Sequence, residues 1–367
     1  MKCAIGRSLM ISPLIVLFIS GCAFFASDNA NQTEIAKSQI AQITNTQVYT
    51  VTPAPTVTKD VSVTITATAG NIITTPTSSP SSFSFVTLSD AQDNGINLPA
   101  TADQALALNP NFGIFIGDLE SEGVTQIRMD ESTTAFGSLY PKLFIVRGNH
   151  DDLIPGSAHL WESYFTSANR PLPAGITNYA AVDTTSNYLN YSFDYGNSRF
   201  IGLDVPWGAE VLTTSELNFL DARLTDAESN GLVHAFLFFH VPPYCTEGNH
   251  CACTAKSDSS CTPSALIAII NQHPIVDAVF SGHEHLLAWT HMDNTRVADL
   301  THPYEQFLTA PSGANTYNDV LYPDRVDHIE LQDGQAFGYV TVNGSSFTVN
   351  FYRVGTLVPV WTKTFTK

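Results

Sequence analysis

Residues 144–152 read Phe-Ile-Val-Arg-Gly-Asn-His-Asp-Asp, an apolar run that stops at a glycine followed by an amide, an imidazole and two carboxylates. An apolar run of this length that ends at glycine predicts a buried strand. Its polar residues would lie at the carboxyl end, where open α/β sheets bind their ligands. The alternative is a polar turn in which Asn149, His150 and Asp151 cap the next helix. The segment is therefore a candidate site.

The same arrangement recurs at four other places in the chain. In each, a strand-like apolar run ends in oxygen or nitrogen ligands: Phe83 to Leu88 before Asp90 and Gln92, Phe112 to Ile116 before Asp118, Phe236 to Phe239 before His240, and Val276 to Ser281 before His283 and His285. Helix caps alone do not explain five such endings. The pattern predicts that these side chains converge at one edge of the fold.

Residues 1–22 predict an export signal. Lys2 and Arg7 precede an apolar stretch, Leu9 to Ile19, that is too short to span a bilayer as a permanent helix. The stretch leads into Ser-Gly-Cys, which resembles the bacterial lipobox, where the cysteine (here Cys22) becomes lipidated. An ordinary secretory signal with an incidental cysteine is the alternative. The favoured interpretation is an exported protein, lipid-anchored to the outer face of a bacterial membrane.

Residues 23–82 are rich in Thr, Ser, Ala, Asn and Pro and contain few large apolar residues. Such a segment cannot bury enough surface to offset the entropy of ordering it, so it predicts a disordered tether. The folded domain is then expected at residues 83–367, a length that suits a single α/β domain.

The formal net charge is −18, with only 16 Lys and Arg residues. Nucleic-acid-binding proteins carry clustered basic residues, so no nucleic-acid partner is expected. An acidic surface also repels phosphates weakly. A site for a phosphorylated substrate must therefore supply its own positive charge, as a pair of metal ions would.

Strand-like and helix-like segments alternate from Phe83 to Phe165, which predicts a parallel sheet core. Further helices are predicted at Thr213 to Glu228, with Thr214 as its N-cap, and at Thr262 to Asn271. From Gln306 onward the pattern is mostly alternating strand. The predicted fold is α/β, with two packed sheets and helices outside.

Seven side chains are candidate metal ligands: Asp90, Gln92, Asp118, Asn149, His240, His283 and His285. All are oxygen or nitrogen donors, a set that suits Mn, Fe or Zn and not a metal that prefers thiolates. Two divalent ions about 3.5–4 Å apart can clamp the attacking and leaving oxygens of a phosphoryl displacement, and Asp118 would bridge them. Water bound to such ions ionises near neutral pH and supplies the nucleophile. His150, which neither ion needs as a ligand, can then act as the general acid.

Taken in order, these blocks resemble those of the calcineurin-like metallophosphoesterase superfamily, and the leader resembles that of a bacterial lipoprotein-type member. The blocks are Asp90-Ala91-Gln92, Gly117-Asp118, Gly148-Asn149-His150-Asp151, His240 in His-Val-Pro-Pro, and Gly282-His283-Glu284-His285. The resemblance implies a four-layer α/β/β/α sandwich and a dinuclear site. It assigns one ion to Asp90, Gln92, Asp118 and His285, and the other to Asp118, Asn149, His240 and His283, with His150 as the proton donor.

Two positions depart from the family pattern. The first block is commonly Asp-x-His, whereas this chain has Gln92. An amide oxygen is a weaker and harder ligand that disfavours Zn, so Mn or Fe is favoured. The purple acid phosphatases carry a Tyr three residues after the bridging Asp, where this chain has Ser121. Their charge-transfer colour and obligatory ferric ion are therefore not expected.

The pattern leaves two roles open for each of Arg147 and Asp151, which flank Gly148-Asn149-His150. Arg147 either contacts a substrate phosphate or pairs with a carboxylate, and the pattern favours neither. Asp151 is expected to support catalysis by orienting His150 or its loop, and service as a metal ligand is the lesser interpretation.

Four cysteines lie in one short segment after His240: Cys245, Cys251, Cys253 and Cys261. In an exported chain such a cluster predicts disulfides. Bridging Cys251 to Cys253 would strain a very short ring. The hypothesis is therefore that Cys245 and Cys261 pair with these two and staple a loop at the rim of the site. A zinc knot that uses the thiolates with His250 is the alternative.

The sequence thus predicts a membrane-tethered metallophosphoesterase with a small phosphorylated substrate. It does not separate monoesters from diesters, because pocket shape decides that choice. The alternative from another class is a binding or scaffold protein that keeps the fold without turnover.

Overall fold

Five α-helices and fourteen strands occupy the described part of the computed structural model, which comprises residues 82–92, 96–165, 171–181, 189–204, 212–246, 264–317, 320, 323–331 and 333–367. These residues belong to one compact unit, Thr74–Lys367. Several predictions lie outside the described residues: the signal peptide with Cys22, residues 23–81 of the tether, and Cys251, Cys253 and Cys261. Within the described ranges, none of the helices is both long enough and apolar enough to cross a bilayer.

The helices are α1 (Leu98–Ala107), α2 (Gln126–Phe136), α3 (Ser157–Phe165), α4 (Thr214–Ser229) and α5 (Ser264–Gln272). The strands are β1 (Ser82–Leu88), β2 (Phe112–Ile116), β3 (Leu143–Val146), β4 (Thr177–Ala181), β5 (Tyr191–Tyr195), β6 (Ser198–Gly202), β7 (His234–Phe238), β8 (Val276–Ser281), β9 (Leu287–Met292), β10 (Tyr304–Thr309), β11 (His328–Glu330), β12 (Ala336–Asn343), β13 (Ser346–Arg353) and β14 (Trp361–Thr366). Short 3-10 turns occur at Gly137–Lys142 and Pro323–Arg325.

The strands form two mixed sheets. Sheet A has the order β14-β13-β12-β1-β2-β3, and sheet B has the order β11-β9-β10-β8-β7-β6-β5-β4. Strands β1, β2 and β3 run parallel to one another, as do β6, β7, β8 and β10. The predicted parallel core is therefore present in both sheets. Antiparallel hairpins β5–β6 and β12–β13 lie beside the parallel strands.

Phenylalanine rings fill the space between the two sheets. Phe85 of β1 stacks on Phe112 of β2 with ring centroids 5.6 Å apart, and it meets Phe200 of β6 edge-on at 5.2 Å. All three side chains are fully buried. Burial of one such side chain stabilises the fold by about 1.5–3 kcal/mol. The inward faces of the strands thus hold sheet A against sheet B.

Helices cover the outer face of each sheet. On sheet A, α2 and α3 contribute the buried side chains Met129, Phe136 and Trp161. On sheet B, α4 and α5 contribute Leu220, Leu224, Ile267 and Ile270. The order from outside to inside is therefore helix, sheet, sheet, helix, which confirms the predicted four-layer α/β/β/α sandwich.

Helix α4 begins at a capping box. The Thr213 hydroxyl accepts a hydrogen bond from the Glu216 N–H, and the Glu216 carboxylate accepts one from the Thr213 N–H. The N-cap is therefore Thr213, and the prediction of Thr214 is wrong by one residue. The spacing Thr-x-x-Glu is the sequence signal for this box, and only Thr213 has a Glu three residues later.

Candidate metal centre

The candidate site lies where five strands end. Asp90, Asp118 and Asn149 follow β1, β2 and β3 of sheet A, and His240 and His283 follow β7 and β8 of sheet B. Parallel neighbours end at the same edge of a sheet, so each sheet presents its polar residues together. Asp118 Oδ2 lies 3.2 Å from His240 Nε2, so the two edges meet in one site.

The backbone is strained at five of the predicted ligands. The φ angles in the left-handed region are 55° at Asp90, 27° at Gln92, 54° at Asp118, 68° at His283 and 42° at His285. Such conformations cost on the order of 1–3 kcal/mol each in residues other than glycine, and they concentrate at functional sites. Backbone hydrogen bonds hold them here, including Asp90 N–H to the Gly117 carbonyl at 2.9 Å.

The first ligand group consists of Asp90, Asp118 and His285. One ligand atom from each lies within 4.8 Å of the others, and His285 Nε2 is 3.2 Å from Asp90 Oδ1. Gln92 lies beside them, and its amide nitrogen donates to Asp118 Oδ2 at 3.3 Å. A flip of this amide would aim its oxygen at the same place, since the two ends of the group have nearly the same shape.

The second ligand group consists of Asp118, His240 and His283, again with ligand atoms within 4.8 Å of one another. The two imidazole rings lie 5.1 Å apart and nearly perpendicular. Among the residues that the structure describes, the side-chain oxygen of Asn149 is buried and has no hydrogen-bond partner. Buried polar atoms normally have a partner. A divalent cation would satisfy this oxygen, so the donor set fits a metal ion, and Asp118 is common to both groups.

Two of the imidazoles are oriented by backbone carbonyls. Nδ1 of His240 lies 2.7 Å from the Ile116 carbonyl oxygen, and Nδ1 of His285 lies 2.7 Å from that of Asn315. Because a carbonyl only accepts hydrogen bonds, each Nδ1 carries the hydrogen and Nε2 can offer a lone pair. Metal-binding histidines are commonly held in this way.

The buried carboxylates of the site favour positive charge beside them. Burial alone would raise the pKa of Asp118, but the charges of His240, His283 and His150 outweigh it and hold this pKa far below its usual range. Burial alone would lower the pKa of His240, but the negative charge of Asp118 raises it to about 9. In the metal-free site, the raised pKa favours the protonated form of His240. A bound cation would supply the positive charge in place of that proton.

Two glycines allow loops to approach the carboxylates closely. A Cβ atom at Gly148 would lie 2.2 Å from Asp118 Oδ1, and one at Gly282 would lie 2.5 Å from Asp90 Oδ2. Both distances are far shorter than any non-bonded contact permits. The glycines that precede Asn149 and His283 are therefore part of the site.

His150 lies beside the ligand groups. Its backbone N–H donates to Asp118 Oδ1 at 2.9 Å, and its ring Nδ1 is 2.6 Å from the Ser121 carbonyl oxygen. Nδ1 therefore carries a hydrogen, since the carbonyl can only accept. Ser121 contributes its backbone carbonyl to this contact, and its side chain takes no part in it.

Asp151 joins two loops of the site. Its carboxyl group is fully buried and accepts hydrogen bonds from the Gly148 N–H at 2.8 Å and the Glu120 N–H at 3.0 Å. Burial, with the negative charge of Asp118, raises the pKa of Asp151 well above its usual range. These bonds fix the loop after β2 against the loop after β3.

Arg147 is surrounded by acidic and hydroxyl groups. Its guanidinium donates to Asp204 through Nε and Nη2, to Asp152 through Nη1 at 2.6 Å, and to the Ser157 hydroxyl at 3.4 Å. The side chain is buried. These contacts tie the end of β3 to the end of β6 and to the start of α3.

Cys245 is buried. The other three cysteines of the cluster lie outside the described residues, so both the predicted pairing and its zinc alternative stay predictions. The residue after Cys245 is tied to the site. The Thr246 N–H lies 2.9 and 3.1 Å from the two carboxylate oxygens of Glu284, which stands between His283 and His285.

Sequence reasoning missed the segment that follows β10. The N–H groups of Gly313 and Ala314 donate to the Asp90 carbonyl at 3.2 and 3.0 Å, and the Tyr317 ring stacks on His285. The sequence pattern after Gln306 predicts mainly strands. A Pro-Ser-Gly sequence at 311–313 is the signal that a loop interrupts them.

The comparisons with known proteins agree with this geometry. The sequence model described as "Calcineurin-like phosphoesterase" matches residues 83–287. Glycerophosphodiester phosphodiesterase GpdQ of Enterobacter lignolyticus (strain SCF1) is 24% identical over 230 residues, which are 60% of this chain and 73% of that protein.

Two solved structures are similar in fold. Purple acid phosphatase PPD1 of yellow lupin (Lupinus luteus) superposes with a TM-score of 0.59 at 12% identity over 78% of this chain. The match spans 54% of the lupin protein, so this chain covers about half of its length. GAP50, titled as the anchor in the inner membrane complex of Plasmodium, gives a TM-score of 0.54 at 13% identity over 78% of this chain and 89% of GAP50.

The fold and the clustered oxygen and nitrogen ligands are those expected of a metallophosphoesterase. The chain belongs to the calcineurin-like phosphoesterase family, because the family's sequence model covers more than half of it.

Proposed function

We propose that the protein hydrolyses phosphoesters with two divalent ions, for which Asp118 would be a shared ligand. One observation carries this proposal: two groups of ligands share Asp118, and the buried oxygen of Asn149 has no hydrogen-bond partner within the described part of the chain. The first ion would be held by Asp90, Gln92, Asp118 and His285, and the second by Asp118, Asn149, His240 and His283.

Divalent ions bound there supply positive charge for a phosphoryl group and lower the pKa of water toward neutrality. His150 donates a proton to the leaving oxygen. Its Nδ1 is engaged with the Ser121 carbonyl, so Nε2 is the atom that gives up the proton. The bond from its backbone N–H to Asp118 keeps this histidine next to the bridging carboxylate.

The donor set favours Mn, Fe or Zn over metals that prefer thiolates. The amide of Gln92 is a harder ligand than imidazole, which shifts the preference toward Mn or Fe. The substrate is a small phosphorylated molecule. Diesters of glycerol phosphate are one class to test, because the curated relative is named for that activity.

The contacts of Arg147 support a positioning role over substrate binding. Three of its guanidinium nitrogens already donate to Asp204 and Asp152. A bidentate pair of this kind fixes the guanidinium. Arg147 then acts through the loop that carries Asn149 and His150.

The location proposed for the enzyme is outside the cytoplasm, with a lipid on Cys22 and a tether that follows it. A disulfide at Cys245 would suit an oxidising compartment. Pairing of Cys245 and Cys261 with Cys251 and Cys253 would then staple the loop that follows His240.

The test is a substrate panel on the full-length chain, stripped of metal and reconstituted with Mn, Fe or Zn. The panel contains p-nitrophenyl phosphate, bis(p-nitrophenyl) phosphate, nucleotides and glycerophosphodiesters. We expect metal-dependent turnover of at least one class, and its loss in Asp118→Asn. Asp103→Asn, which changes an exposed carboxylate on α1, is the matched control and should retain activity.

A chain that binds two ions and turns over none of these esters would overturn the proposal. That result would favour the scaffold alternative, in which the fold serves binding alone. The similarity of fold to GAP50, an anchor by its title, makes this the outcome to look for.

A further inference from the structure

The His285 imidazole lies face to face with the ring of Tyr317. The two ring centroids are 4.1 Å apart and the ring planes are inclined by 9°. The backbone brings them together, because the Tyr317 N–H donates to the His285 carbonyl at 3.3 Å. His285 is thus restrained at its ring and at its backbone by the same residue.

The segment that carries Tyr317 also holds the rest of the first ligand group. Gly313 and Ala314 donate from their N–H groups to the Asp90 carbonyl, and the Asn315 carbonyl binds Nδ1 of His285 at 2.7 Å. Residues 313–317 therefore contact both Asp90 and His285. The same segment orients two ligands that belong to different sheets.

The first ligand group needs this support. His285 has a strained φ of 42°, and its imidazole must keep Nε2 aimed at the site, 3.2 Å from Asp90 Oδ1. Gln92 supplies only an amide, which binds metals less strongly than imidazole. A ligand held in place before the ion arrives loses less entropy on binding, so restraint of His285 raises affinity.

The stack also favours the metal-bound state electrostatically. An imidazole that coordinates a divalent ion carries partial positive charge. The face of a phenol ring is electron-rich and attracts such charge. Tyr317 therefore stabilises His285 more strongly with an ion bound than without one.

We propose that Tyr317 is a positioning residue that holds His285 in the metal-binding orientation and so sets the affinity of one of the two ions. This inference rests on the dinuclear site of the proposed function. It concerns the ring of Tyr317, and the neighbouring backbone bonds stay in place when the side chain is replaced.

The experiment measures Mn²⁺ binding to the metal-free full-length chain by titration calorimetry, with Mn²⁺ electron paramagnetic resonance to count the bound ions. Tyr317→Leu should weaken one of two binding events by about 10-fold or more, as loss of an outer partner of a metal ligand does. The other event should stay close to the wild-type value. Tyr317→Phe keeps the stack and should bind both ions as the wild type does.

Tyr140→Leu is the control for loss of a half-buried tyrosine. Tyr140 lies before β3, at the strand end opposite to Asn149, and its ring meets Phe165 edge-on. Both Mn²⁺ affinities should be unchanged in this variant. Tyr317→Gln is a second test variant in case the leucine variant does not fold, which circular dichroism of the metal-free protein will reveal.

Three results would overturn the inference: unchanged affinities in Tyr317→Leu, equal weakening of both events, or a Tyr317→Phe variant as weak as Tyr317→Leu. A wild-type chain that binds two ions but hydrolyses no phosphoester overturns the proposed function alone. A wild-type chain that binds fewer than two ions overturns both.

Discussion

Arg147 and Asp204 form a bidentate ion pair beside the candidate metal centre. Nε of Arg147 donates to Oδ1 at 2.9 Å, and Nη2 donates to Oδ2 at 2.7 Å. Arg147 follows β3 of sheet A and Asp204 follows β6 of sheet B, so the pair joins the two sheets. The side chains are only 6% and 5% exposed. Solvent therefore screens this interaction little.

Removal of one partner should destabilise the protein strongly. Asp204→Ala leaves the Arg147 guanidinium buried without its main counter-charge, and such a change costs about 3–5 kcal/mol. Urea unfolding of the metal-free chain measures the loss. The double variant Arg147→Met with Asp204→Leu should recover most of it, because neither charge is then buried alone.

The control for this prediction is His159→Ala on α3. The His159 side chain is 86% exposed, so its loss should change the unfolding free energy by less than about 0.5 kcal/mol. An Asp204→Ala variant that unfolds at the same urea concentration as the wild type would contradict the prediction.

The parallel strands of the core were predictable because each is a short apolar run that stops at a glycine or a polar residue. The runs before Asp118 and Asn149 end in this way, and both strands form within a residue of the predicted ends. A strand that is buried on both faces consists of apolar residues throughout, and such a run is easily recognised in a sequence. The order of the strands within each sheet is set by crossovers, and local pattern does not encode it.

The candidate ligands could be proposed from the sequence because each lies within about four residues of the end of a strand. The residues that support them could not. Ile116 and Asn315 act through backbone carbonyls, which every residue type carries, so no side chain marks the role. Asp204 is 57 residues from Arg147 in sequence. The two residues meet because sheet B packs against sheet A. Such long-range contacts follow from the complete fold.

Metal binding should stabilise the fold. At free Mn²⁺ about 100 times the Kd, each occupied site contributes about 2.7 kcal/mol, which should raise the Tm by several degrees. Differential scanning calorimetry with and without chelator measures this rise. Asp118→Asn should abolish most of it, whereas Asp103→Asn should show the wild-type rise.

Without metal, the same variant should lower the Tm at neutral pH. The Asp118 carboxylate offsets the charge of buried His240, and a pKa held below its ordinary value means that the ionised carboxylate stabilises the folded state. The metal-induced rise is therefore measured against the metal-free form of each variant. An Asp118→Asn chain that shows the wild-type rise would contradict the metal-binding role of Asp118.

Loss of His150 should slow turnover by about 10²–10⁴-fold, the range typical of a missing general acid. The effect should depend on the leaving group. An alkoxide needs a proton from Nε2 of His150, whereas p-nitrophenolate departs without one. His150→Ala should therefore impair glycerophosphodiester hydrolysis far more than p-nitrophenyl ester hydrolysis, as steady-state kinetics with both substrates will measure.

His159→Ala serves as the control for the kinetic test, since it removes an exposed histidine from α3. Equal losses of turnover by His150→Ala on both kinds of ester would argue against proton donation and for a role in binding. Unchanged turnover on both would remove His150 from the mechanism altogether.

His273, which follows α5, links this helix to α4 through two carboxylates. Its Nδ1 lies 2.9 Å from Glu228 and its Nε2 lies 3.0 Å from Asp221. Burial alone would lower the pKa of His273, but these two carboxylates outweigh it and raise the pKa above its ordinary value. The imidazolium form is therefore favoured in the folded protein.

A raised pKa in the folded state stabilises the protein at low pH. The contribution of His273 is fully present below its unfolded pKa of about 6.5 and disappears as pH rises through the higher folded value. Half-exposed Asp221 and partly exposed Glu228 limit it to less than about 1 kcal/mol. His273→Gln should therefore lower the Tm more at pH 6 than at pH 9, measured without metal, with His159→Ala as the control. An equal deficit at both pH values would mean that His273 stabilises the helices by packing alone.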